Sequence, residues 1–146
     1  MDTKARAGGG PVADLAVGQP GPHRVFGPIS RTDIVRYAGA SGDFNPIHHD
    51  ETFATAAGFP TVFSIGMFQA ALLGTYATDW LGAANVRRFT VRFKEQVWPG
   101  DELTCSGRVA AIGTDPDGSR RVEVELECRR QTGGMAIAGS AEFLVA

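Results

Sequence analysis

The run SIGMFQAALLGTYATDWLG at residues 64–82 constrains the fold more than any other stretch of this chain. Asp79 is its only charged residue, and apolar or small side chains fall on nearly every face. A helix of that kind needs other structure packed around it on all sides. Ser64 is the expected N-cap and Gly82 the expected stop. The covering material follows directly. Phe89, Val91 and Phe93 alternate with Arg88, Thr90, Arg92 and Lys94. Leu103, Cys105, Gly107 and Val109 alternate with Thr104, Ser106 and Arg108, and Val122, Val124, Leu126 and Cys128 with Glu123, Glu125, Glu127 and Arg129. Met135, Ile137, Gly139, Ala141, Phe143 and Val145 form a fourth series. A period of two marks strands with one apolar face. Turn signals at 98–101, 115–118 and 132–134 separate them, which predicts a four-strand antiparallel meander. The predicted class is therefore α+β, an antiparallel curved sheet wrapped around a long central helix. One sheet covers only part of a helix, and the uncovered side predicts an oligomer, a twofold dimer.

The remaining chain adds smaller elements. Residues 1–21 are expected to form a flexible N-terminal arm and 22–146 a single domain. A domain of 146 residues buries about 68–70% of its unfolded surface, enough for a core without covalent staples. Residues 23–26 suit a short strand. Ser30 suits the cap of a helix through Asp33, Ile34, Tyr37 and Ala38, with Gly39 and Gly42 ending it. Asp50 suits the cap of a short helix stopping at Gly58 and Pro60.

Composition narrows the function classes. With 43% hydrophobic and 21% charged residues, the chain is not a disordered one. No apolar run approaches the ~18 residues of a membrane span. A formal net charge of −2 leaves no basic footprint for nucleic acid. Two cysteines, Cys105 and Cys128, form neither a CxxC pair nor a disulfide framework, and the N-terminus has no apolar leader segment, so a reducing cytoplasm is expected.

The chemistry concentrates in SGDFNPIHHD, residues 41–50. Gly42, Asp43, Asn45 and Pro46 spell an ordered turn. Asp43 and His48 are five residues apart, a spacing that diverges on a helix or strand but converges across a turn pinned by Pro46. A carboxylate and an imidazole on one target suit acid–base work on water, although the same letters also make ordinary surface turns. His49 points away from His48, and Asp50 has its cap to make. The three histidines show no metal-ligand spacing, so no metal is expected. No G-x-S-x-G elbow is present, and the two cysteines fall on inward strand positions, where a thiol is inert. A second candidate is the helix start Ser64-Ile65-Gly66-Met67. First-turn N–H groups with a partial positive charge suit a carbonyl oxygen that gains negative charge, and Gly66 permits close approach. Tight packing of the helix start is the competing role for Gly66.

Together, YAGASGDFNPIHHDETFATAAGF (37–59), the following Gly66-Met67 helix start and VRFKEQVWPGDELTCSGRV (91–109) resemble the MaoC-like hydratase/dehydratase family of hotdog-fold proteins. Its members include (R)-specific enoyl-CoA hydratases and (3R)-hydroxyacyl-ACP dehydratases. The resemblance implies a hotdog fold, with the helix 64–82 inside the curved sheet. It implies hydration of trans-2-enoyl thioesters to (3R)-hydroxyacyl thioesters, or the reverse. Asp43 and His48 match the catalytic pair, Asn45 the residue that supports their loop, and Gly66 the N–H that binds the thioester oxygen. No cofactor is implied. The expected partners are an acyl-CoA or acyl-carrier-protein substrate and a second hotdog chain, identical or paralogous. Two positions depart from the family pattern. Ile65 replaces a common His, making the wall there more apolar, and Gly74 replaces a small hydroxyl residue, opening space for a bulky acyl group. Two readings remain beside this one: a hotdog acyl thioesterase, and the acyl-binding subunit of a heteromeric dehydratase.

Overall fold

A computed structural model describes residues 14–145. The elements in chain order are β1 (Arg24–Phe26), α1 (Arg31–Ser41), a 3-10 turn (Pro46–His48), α2 (Glu51–Ala56), α3 (Gly66–Leu81), β2 (Val86–Phe93), β3 (Leu103–Thr114), β4 (Arg120–Arg130) and β5 (Met135–Val145). All strand pairs are antiparallel, and the sheet order is β1-β3-β4-β5-β2. The inward residues of the alternating pattern meet α3. Leu73, Tyr76, Ala77 and Leu81 of the helix are buried with Val109, Val124, Leu126, Ile137 and Phe143 of the sheet. This is the α+β arrangement of a curved sheet around a helix that the apolar patterning demanded, and the hotdog fold that the resemblance implied.

The meander is shorter than expected. Only β3, β4 and β5 follow one another in space, and β2 pairs with β5 at the far edge. Alternation tells which face of a strand is wet, but not which strand lies beside it. The segment after β2 is held elsewhere. Val97 is fully buried, its carbonyl accepts from the Ser64 N–H at 2.8 Å, and the Ile29 carbonyl accepts from the Gly100 N–H at 2.7 Å. The chain thus crosses over before β3 begins, and no tight hairpin joins β2 to β3.

Three boundaries also shift. Ser64 does not cap α3. Its side chain is turned to Gln69, and the helix starts at Gly66 after Ile65 with no side-chain cap. Gly39 lies inside α1, and Gly42 alone ends it in the left-handed region at φ 76°. Of the arm expected over 1–21, residues 1–13 lie outside the described residues, while the described part sits on the sheet. Gly18 and Gly21 N–H groups donate to Val109 and Gly107 carbonyls, both at 2.8 Å, and Leu15 is buried. The edge of β3 offers unpaired backbone groups there, and the passing chain satisfies them.

Ser30 caps α1 in a full capping box: its hydroxyl accepts from the Asp33 N–H, and the Asp33 carboxylate accepts from the Ser30 N–H. Those bonds from Ser30 hold the Asp33 carboxyl below the ordinary carboxylate range. The contribution is therefore present at neutral pH and lost as pH falls through that lowered value. Ser30→Ala is expected to cost about 0.5–2 kcal/mol. A urea melt at neutral pH measures it, and the mutant's deficit should shrink in acid.

The uncovered side of the helix is visible. Met67, Ala71, Thr75 and Asp79 form an exposed stripe along α3 at four-residue spacing. Beside it, Phe89 and Phe93 on the free edge strand β2 remain exposed. Among the described residues, no helix is long and apolar enough to cross a membrane.

Candidate active site

The loop after α1 is built by its own short polar side chains. The Asn45 Oδ1 accepts from the Ile47 N–H at 3.1 Å, capping the 3-10 turn that Pro46 opens. The Asn45 N–H donates to the Asp43 Oδ1 at 3.2 Å. One residue thus shapes the turn with its side chain and aims the carboxylate with its backbone. The turn then brings His48 back over Asp43, leaving the Asp43 Oδ2 4.0 Å from the His48 Nε2.

His48 is held from its other side. Its Nδ1 lies 2.8 Å from the Phe63 carbonyl oxygen. A carbonyl only accepts, so Nδ1 carries the proton. In the neutral ring this leaves the Nε2 lone pair facing Asp43. The ring also meets the Phe63 ring edge-on, with centroids 5.2 Å apart. The His48 side chain is 10% exposed and that of Asp43 43%. The imidazole is therefore seated while the carboxylate meets solvent. His49 Nε2 is 3.4 Å from the Phe44 carbonyl, and Asp50 caps α2 through the Phe53 N–H, so both stand outside the pair.

Phe63 ties this pair to the helix start. Only Ser64 and Ile65 separate it from Gly66, a reach of at most about 10 Å of extended chain. No side chain caps α3, which leaves its first-turn N–H groups without a side-chain acceptor. Gly66 lies in close approach to Phe93: a Cβ there would stand 3.0 Å from that exposed ring, which would have to give way by a few tenths of an ångström. Gly66, Phe63 and Phe93 line a cavity of about 320 Å³, together with Ser64, Gln69 and Ile137. Asp43 and His48 are not among its lining residues. Phe63 is the shared member, lining the cavity while its carbonyl holds the imidazole.

The two departures have definite surroundings. Ile65 is buried within the core and does not line the cavity. A Cβ at Gly74 would lie 3.7 Å from the Phe89 ring, ordinary contact, so that ring takes up the room Gly74 was expected to open. Cys105 and Cys128 face each other across β3 and β4 as buried free thiols, and the hydrogen bond with Cys128 together with burial pushes the Cys105 thiol far up. Among the described residues, no three His, Cys, Asp or Glu side chains gather to share a metal ion.

Sequence reasoning passed over Phe63 and Gln69. Phe63 acts through a backbone carbonyl, which no side chain advertises. Gln69 did leave a signal, since an amide inside an otherwise apolar helix must find a partner or a ligand.

Known proteins resemble this chain over most of its length. A family model described as "MaoC like domain" matches residues 14–130. The fatty acid synthase subunit beta of Saccharomyces cerevisiae is 30% identical over 110 residues, covering 73% of this chain. The chain spans only 5% of that protein's length. The (R)-specific enoyl-CoA hydratase of Aeromonas caviae is 30% identical over 133 residues, 90% of this chain and 94% of that one. A chain of the solved ChsH1-ChsH2 complex from Mycobacterium tuberculosis superposes with a TM-score of 0.78 at 26% identity, over 90% of this chain and 98% of that one. The curved sheet, the helix it holds and the family match through residues 14–130 place this chain in the MaoC-like domain family.

Proposed function

We propose that this protein adds water across the double bond of a trans-2-enoyl thioester to give the (3R)-hydroxyacyl thioester, and catalyses the reverse dehydration. The observation that carries the reading is the 4.0 Å gap between Asp43 Oδ2 and His48 Nε2, with the imidazole tautomer set by the Phe63 carbonyl. That gap exceeds a direct hydrogen bond, yet lets one water oxygen lie about 2.8 Å from both atoms. The pair takes a proton from that water as its oxygen attacks C3. Electron density moves to the thioester oxygen, which accepts from the Gly66 N–H at the positive end of α3. The enolate then collapses, taking a proton at C2 from the same pair. Asn45 keeps the carboxylate aimed throughout. The family relationship and the similarity to a named (R)-specific enoyl-CoA hydratase support the reaction class.

The second hotdog chain belongs to the same proposal. β2 is a free edge strand, and the exposed Phe89, Phe93 and Met67 beside it form an apolar strip next to the helix start. Such an edge pairs with another strand or aggregates. A partner there walls the site, and a chain similar to this one is found in a complex named for two different subunits. The free, buried thiols fit a reducing cytoplasm.

The test is direct. The purified protein, alone or with a paralogous chain, is mixed with crotonyl-CoA and longer enoyl-CoAs. Loss of enone absorbance, a (3R) product on chiral analysis and a mass of two chains are expected. Release of free CoA thiol without hydration would instead make the protein a thioesterase and end this reading.

A further inference from the structure

One polar group in the interior of this protein is left half used. Gln69 is 3% exposed and Ser64 2%. The Ser64 hydroxyl donates to the Gln69 Oε1 at 2.8 Å, which satisfies the oxygen of that amide. Its nitrogen is different. Among the described residues the Gln69 Nε2 has no hydrogen-bond acceptor. Among the described residues no fully enclosed side-chain polar atom lacks a partner, so this nitrogen is not sealed in the packing. Gln69 lines the cavity beside Gly66, and the nitrogen is read as opening on that space.

The helix explains the direction. Gln69 is three residues after Gly66, one turn into α3. Side chains on a helix lean back toward its N-terminus, over the preceding turn. The Gln69 amide therefore lies over the same helix tip as the Gly66 N–H, and Ser64 locks its rotation. A buried N–H pair without an acceptor costs free energy. A bound oxygen removes that cost.

We propose that Gln69 is a second donor to the thioester carbonyl oxygen, its Nε2 and the Gly66 N–H converging on that atom. This rests on the reading of the helix tip as the site of the developing enolate oxygen. A lone backbone N–H satisfies one lone pair of that oxygen, and the side-chain amide supplies the second. Because the amide is fixed before substrate arrives, its donation strengthens as charge grows, and the effect falls on kcat.

The experiment uses Gln69→Leu, similar in size and suited to the buried position, with the isosteric Gln69→Glu and with Ser64→Ala. Hydration of crotonyl-CoA is followed for each, since crotonyl has no polar group other than the thioester. The expected result for Gln69→Leu and Gln69→Glu is a fall in kcat of about 10²–10³-fold with KM changed far less. Ser64→Ala leaves the amide but frees its rotation, and a smaller fall is expected. The absorbance of bound cinnamoyl-CoA gives a second readout. A donor on the carbonyl shifts the conjugated band to longer wavelength, and the shift should shrink in Gln69→Leu. Unchanged kcat in a folded Gln69→Leu or Gln69→Glu protein, alongside an active parent, overturns the role of Gln69 and leaves the hydration reading standing. A loss confined to KM likewise overturns it, because that signature belongs to uniform binding. An inactive parent overturns the hydration reading itself.

Discussion

Asp43→Asn and His48→Ala are each expected to lower kcat for enoyl-CoA hydration by about 10²–10⁴-fold, the range for a positioned acid–base group. The asparagine keeps the shape and the bond from the Asn45 N–H, but its amide cannot take a proton from water. Removing the imidazole deletes the partner 4.0 Å away and strips the Phe63 carbonyl of its donor. Asp43 is partly exposed and lies on a loop, so Asp43→Asn should not unfold the protein. Hydration rates with a thermal melt of each variant separate lost chemistry from lost structure. Full activity in either variant would sink the proposed mechanism. The two losses should not add when combined, because the residues act on one water.

The largest effect on stability is expected at Asp101, which is not one of the proposed catalytic residues. Its carboxylate is almost fully buried at the turn before β3. Burial pushes its pKa up, but the Arg130 guanidinium, the Trp98 N–H and the Gln131 amide together outweigh that and hold the carboxyl below the ordinary range. Arg130 approaches through Nε at 2.7 Å and Nη2 at 3.3 Å, the Trp98 N–H at 2.8 Å and the Gln131 Nε2 at 2.8 Å. Asp101→Ala leaves a largely buried guanidinium without its best partner, and such breaks cost about 3–5 kcal/mol. Chemical denaturation should show the loss at neutral pH. The sign in acid follows from the lowered pKa. The stabilisation is intact above the unfolded-state value and disappears as pH falls through the folded-state value. Variant and parent should therefore converge in strong acid. Equal denaturation midpoints at pH 7 would contradict this account.

The network also explains why the crossing between β2 and β3 was not legible. Arg130 and Gln131 lie 29 and 30 residues after Asp101, and nothing in the local sequence pairs them with it. The Asp101 and Ile29 backbones meet in the same corner, the Ile29 N–H donating to the Asp101 carbonyl at 2.9 Å. These long-range bonds route the segment after β2 away from a hairpin. Alternation along β2 correctly marked Phe89 and Phe93 as the helix-side residues, since their rings lie against Gly74 and Gly66. It could not reveal that this strand sits at an edge, where those rings stay open to solvent.

The candidate site divides in the same way. Asn45-Pro46 announces a turn because both residues act on their own backbone. That local chemistry is why a convergence of Asp43 and His48 was readable. Which ring nitrogen of His48 carries the proton was not readable, since it depends on a carbonyl fifteen residues away. Ser64 looked like a cap by residue type and position, yet its hydroxyl found a better-placed acceptor in Gln69 once the helix was packed.

The order of amino acids alone determined the periodicities, the caps of α1 and α2, the tight turn and the need for a sheet around an apolar helix. Each of these depends on a residue and its near neighbours, so each is written in a short window of the chain. Strand order, the seat of the imidazole, the docking of residues 14–21 on β3 and the free amide of Gln69 belong to the tertiary structure. They are settled by competition among distant groups for the same acceptors and the same buried space, and that competition exists only once the chain has folded.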